Sequence, residues 1–83
     1  MKHIVVDLEM NPVAKEHREI RRKLNGEIIE IGAVRLNENF EQEDEFQCYV
    51  CPEYGMVKKH ITELTGITQE KVAGRPAFSE RFH

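Results

Sequence analysis

Long apolar runs are missing from this sequence. None approaches the roughly 20 residues that a helix needs to cross a bilayer. A signal-peptide core is missing too, because the apolar stretch Ile4-Val5-Val6 ends at a carboxylate, Asp7. No membrane partner is expected, and a cytoplasmic location is the default. Cysteine is scarce: Cys48 and Cys51, the only two, form a CxxC. A structural zinc site takes four ligands, and without a second pair only His60 and His83 remain to help. A redox CxxC opens a helix, whose dipole activates the thiol. Here the pair lies in a strand-like stretch, where residues three apart point to opposite faces. They read as ordinary strand cysteines. Repeats and low-complexity stretches are absent. So is an excess of positive charge: the net charge is −3, and the chain as a whole does not advertise nucleic-acid binding.

What is present is a soluble, globular mix, with 40% hydrophobic and 33% charged residues. Eighty-three residues suffice for one small domain with a modest core. The charges are unevenly spread. Residues 14–23 hold Lys15, Arg18, Arg21, Arg22 and Lys23 against Glu16 and Glu19. Residues 37–53 hold Glu38, Glu41, Glu43, Asp44, Glu45 and Glu53 and no Lys or Arg.

Residues 3–8 are short and β-branched and read as a buried strand ending in acids. Asn11-Pro12 is expected to break it. Residues 13–24 fit either a helix, since Glu16, Ile20 and Leu24 recur at spacing four, or a mobile basic loop. Asn25-Gly26 signals a turn. A second strand is predicted over 27–36, apolar on both faces, and a third over 43–51, with Phe46, Cys48 and Val50 on one face and Pro52 as its stop. Short connections make the three an antiparallel meander. Helices are predicted over about 57–65, 69–73 and 76–83. Val57, Ile61 and Leu64 share the first helical face, Gly66 caps its end, Thr68 caps the second, and Phe78 and Phe82 share a face of the third.

Asp7 and Glu9 flank Leu8 at the end of the first strand. Residues i and i+2 of a strand share a face and lie about 7 Å apart. Two carboxylates so placed repel unless a cation or a shared proton offsets them. Hard divalent cations choose such oxygens, and a strand end holds them rigidly. Taken alone, Asp-x-Glu is read more readily as a solvated strand end than as a metal cradle.

Context changes that order. Ile4-Val5-Val6-Asp7-Leu8-Glu9, followed after a turn by Glu27-Ile28-Ile29-Glu30-Ile31-Gly32-Ala33-Val34, resembles the first motif and second strand of the DnaQ-like (DEDD) 3′→5′ exonucleases. The acid-rich third strand closing on Cys51-Pro52 resembles the family's third strand. Ile61-Thr62-Glu63-Leu64-Thr65-Gly66-Ile67-Thr68, with Val72 and Pro76-Ala77-Phe78 after it, resembles its helix–Gly-Ile–helix segment. The resemblance implies an α/β chain, the N-terminal part of an RNase H-like fold. It also implies two-metal hydrolysis of phosphodiesters at nucleic-acid 3′ ends with Mg²⁺ or Mn²⁺. By the same resemblance Asp7 and Glu9 are the catalytic, metal-binding acids, and Met10 and Leu64 contact the terminal nucleotide. Met10-Asn11-Pro12 departs from the small run that often follows the Glu in the family. A further Asp, a His or Tyr and a last Asp of the family pattern are not found within these residues, and His83 has the wrong context for the base. The expectation is an incomplete exonuclease domain over 1–83, inactive alone. The rival is a non-catalytic binding or assembly module on the same scaffold. An unpaired edge at His3-Ile4-Val5-Val6 would invite homo-oligomers. The basic stretch reads as phosphate contacts or, slightly preferred, a solvated face. Glu30 reads as a residue supporting the acid pair from behind or, preferred, as paired with an Arg.

Overall fold

The computed structural model of the chain describes residues 2–81. Phe82 and His83, assigned by sequence to the last helix, lie outside them. The order is β1 (His3–Pro12), α1 (Arg18–Lys23), β2 (Gly26–Leu36), β3 (Gln42–Tyr49), α2 (Lys59–Thr65), α3 (Gln69–Val72) and α4 (Phe78–Arg81). The strands form one antiparallel sheet in the order β1-β2-β3, the predicted meander.

β1 does not break at Asn11-Pro12. It runs on to pair Asn11 with Glu27 and Pro12 with Gly26, after a register shift between Glu9 and Met10. Such a bulge re-aims the side chains beyond it. Here Asn11 is turned inward, with 0% of its surface exposed. Proline is tolerated because β1 is an edge strand. The first strand is also not buried, contrary to its apolar composition. Ile4 is 70% and Val6 57% exposed. The reason is where the core sits. Ile29, Ile67 and Val72 form it, with Tyr49, Val57 and Ile61 packed around them, so the helices cover the Gly26 end of the sheet and leave the His3 end bare.

Residues 13–17 are docked, and the helix begins only at Arg18. Val13 and Ala14 are buried. The Val13 N–H donates to the Asn25 carbonyl (3.0 Å) and the Ala14 N–H to the Tyr54 carbonyl (2.8 Å). His17 meets the Tyr54 ring edge-on at 5.5 Å. Gly55 permits the close approach: it sits at φ +148°, and a Cβ there would lie 3.1 Å from the Ala14 Cβ.

α2 starts later than its apolar spacing predicts. The Val57 and Lys58 N–H groups donate to the side chains of Gln69 and Asn11 (both 2.8 Å), which holds this stretch extended. Gly66 ends α2 at φ 78°, and the Thr68 hydroxyl accepts from the Lys71 N–H at the start of α3. β3 ends at Tyr49, and Cys51 forms only an isolated parallel bridge with Ala77. No helix among the described residues is long and apolar enough to cross a membrane.

Candidate nuclease site

Regular pairing before the bulge sets Asp7 opposite Gly32 and Glu9 opposite Glu30. With alternate residues on alternate faces, Asp7, Glu9 and Glu30 share one face of the sheet. Asp7 is exposed; Glu9 and Glu30 are half-buried. Like charges directly opposed across a strand pair are destabilising, and Glu9 stands opposite Glu30. Among the described residues no ion pair joins Glu30 to an arginine. Its carboxylate accepts from the Gln47 amide, one strand over, while Arg35 reaches Glu43 and Asp44 at the other end of the sheet.

All the donors are carboxylate oxygens, which suits a hard divalent cation. The set is partial. Among the described residues no group of three or more His, Cys, Asp or Glu side chains converges closely enough to hold a metal ion. Asp7 and Glu9 thus stand as a carboxylate pair on one face of a paired strand.

Met10 lies over Gly26 and lines an apolar recess with Leu24, Ile28, Cys51, Tyr54 and Phe78. Leu64 stands out from α2, 80% exposed, and does not line that recess.

Two residues that composition passes over hold the site's surroundings together. The Asn11 carboxamide accepts from the Lys58 N–H (2.8 Å) and donates to the Met56 carbonyl (3.0 Å). This fixes the entry to α2 just beyond the bulge that follows Glu9. The Glu27 carboxylate, 8% exposed, accepts from the Glu53 N–H (2.6 Å) and the Tyr54 N–H (2.8 Å). The only hint in the sequence is a polar residue at each end of an otherwise apolar stretch.

The sheet topology and the acid pair on its first strand define the opening part of an RNase H-like α/β domain. The comparisons make this specific. The exonuclease family model RNase_T matches residues 4–83. The chain belongs to this family, the DnaQ-like exonucleases. It is 38% identical over 79 residues to the PolC-type DNA polymerase III of Clostridium perfringens (strain 13 / Type A), a match covering 95% of this chain and 5% of that protein. A full-length 3′-exonuclease crystal structure superposes with a TM-score of 0.77 at 32% identity, over 98% of this chain and 26% of that one. A 3′-exonuclease solved for its recognition of the histone mRNA stem-loop 3′ end gives 0.76 at 32% identity, over 98% and 27%. The chain thus spans about a quarter of the solved relatives and a far smaller share of the polymerase.

Proposed function

We propose that this chain is the N-terminal portion, over residues 1–83, of a metal-dependent 3′→5′ exonuclease domain acting on DNA or RNA. The observation that carries the reading is the Asp7–Glu9 pair on one face of a paired strand, in a chain that the family model matches from residue 4 to 83. In this reading Asp7 and Glu9 hold Mg²⁺ or Mn²⁺ in a two-ion site whose remaining ligands lie elsewhere in the whole protein. The ions would supply an activated water and charge stabilisation at the scissile phosphate. Asp7 and Glu9 themselves would supply carboxylate oxygens as ligands to those ions. Met10 and Leu64 flank the terminal nucleotide. The recognition of an RNA 3′ end by a solved relative supports nucleic-acid 3′ ends as the partner.

The test uses 5′-labelled single-stranded DNA and RNA with the whole protein and Mg²⁺ or Mn²⁺. Products shortening stepwise from the 3′ end are expected. Asp7→Ala should lower the rate more than about 100-fold, beyond the loss typical of a group that merely supports a metal ligand. The isolated 83-residue chain should give no turnover. Intact DNA and RNA with the whole protein would sink the reading. The unpaired edge of β1 favours a second reading, a non-catalytic assembly module on the same scaffold. That reading predicts a stable complex and no cleavage.

A further inference from the structure

The basic segment is a solvent-exposed face whose root, Val13-Ala14, is buried. Lys15, Arg18, Arg21, Arg22 and Asn25 line one open groove along α1. A second groove begins where it leaves off: Lys15 and Arg21 line both, and Pro12, Val13, Glu16, Lys58 and His60 complete the second. Together they make one track from α1 across to the entry of α2. Glu16 is its only carboxylate. Among the described residues no ion pair engages Lys15, Arg18, Arg21, Arg22 or Lys58; the cations that are paired, Lys2 and Arg35, sit at the other end of the sheet against Glu43 and Asp44. The track is also anchored. Its root at Val13-Ala14 is buried and bonded to Asn25 and Tyr54, and Glu27 holds Tyr54 in turn. Its far end at Lys58 is held by Asn11.

A row of cations with no ion pair among the described residues, on a chain of net charge −3, suits an anionic partner. The phosphodiester backbone of a single strand has that character. The track reaches Pro12, and the three-residue step from Glu9 to Pro12 along β1 spans about 10 Å. We propose that the track from α1 to Lys58 carries the backbone of a single-stranded nucleic acid, upstream of the 3′ end that the carboxylates address. This rests on the exonuclease reading for its direction, and not for the binding itself.

The experiment is fluorescence anisotropy of labelled single-stranded DNA and RNA with the whole protein in EDTA, so that binding is read without turnover. The salt concentration is varied. The Arg18→Ala/Arg21→Ala/Arg22→Ala variant should bind at least 10-fold more weakly. Its slope of log affinity against log salt should be smaller by about 2, since each lost phosphate contact on a single strand removes about 0.7. The matching three-lysine variant should keep most of the slope, which separates charge from folding. Arg35→Ala, which removes one cation away from the track, should change affinity less than twofold. An unchanged slope in the alanine variant, an equal loss in Arg35→Ala, or no binding by the unaltered protein overturns the proposal. Track-dependent binding without any hydrolysis on adding metal would sink the exonuclease reading and leave the track standing. Hydrolysis with an unaltered slope would do the reverse.

Discussion

Asn11 shows how much one buried amide can organise. Its side chain satisfies a donor at Lys58 and an acceptor at Met56, 45 and more positions away in sequence. Removing it leaves both backbone groups without their side-chain partner at a part-buried site. An orphaned buried group costs about 1–3 kcal/mol, so Asn11→Ala should destabilise the fold by about 2–3 kcal/mol. Urea unfolding followed by circular dichroism measures this. Asn11→Asp should not rescue it, because the carboxylate would face the Met56 carbonyl. Asn39→Ala, at an exposed turn position whose contact is made by its backbone, should stay within about 0.5 kcal/mol. Equal effects at the two sites would dismiss the account. The same reasoning explains why sequence underrated Asn11. A residue type common in turns reads as a breaker, and only a bulge, invisible in composition, turns it inward.

At the level of elements, what could be read was what local physics decides. The three-stranded meander follows from apolar periodicity and the Asn25-Gly26 turn, and the C-terminal end of α2 and the start of α3 follow from their capping chemistry. The burial of β1 could not be read, because it depends on what packs over it, and no local pattern in His3–Leu8 encodes that. The same holds for Glu30, whose partner Gln47 is set by strand register. The candidate site was legible as a pair, Asp7 and Glu9, through their alternation on one strand. The caps lend themselves to measurement. A Cβ on Gly66 would meet no atom within 4 Å, so any cost of Gly66→Ala is the left-handed backbone alone. That cost is about 1–2 kcal/mol for an L-residue. Gly66→Asn should cost less, since Asn tolerates this conformation. Thermal melts of the two variants should rank Asn above Ala; the opposite order would mean that packing, and not backbone strain, governs this cap.

The whole molecule is more open than its size warrants. Its radius of gyration is 14.8 Å, with extents of 47 × 25 × 21 Å, whereas a compact domain of this length would have a radius near 12 Å. Its accessible surface is 6260 Å², against about 5100 Å² for a compact monomer of this mass. The excess, about 1100 Å², slightly exceeds what one partner contributes to a standard interface. Much of it is apolar and lies at the unpaired edge: Ile4, Val5, Val6 and Leu8 are 70%, 51%, 57% and 44% exposed. An edge strand with free backbone groups and bare apolar faces pairs with whatever strand is offered. For the isolated 83-residue chain the strand at hand is a second copy of β1, giving a continuous sheet across two chains. Light scattering should therefore report a dimer or larger species, dissociating on dilution. Val6→Lys, a charge on that edge, should shift the population to monomer while leaving the remote Ile29–Ile67–Val72 core folded. A clean monomer for the unaltered chain at high concentration would mean that the bare edge is tolerated in water and does not drive assembly.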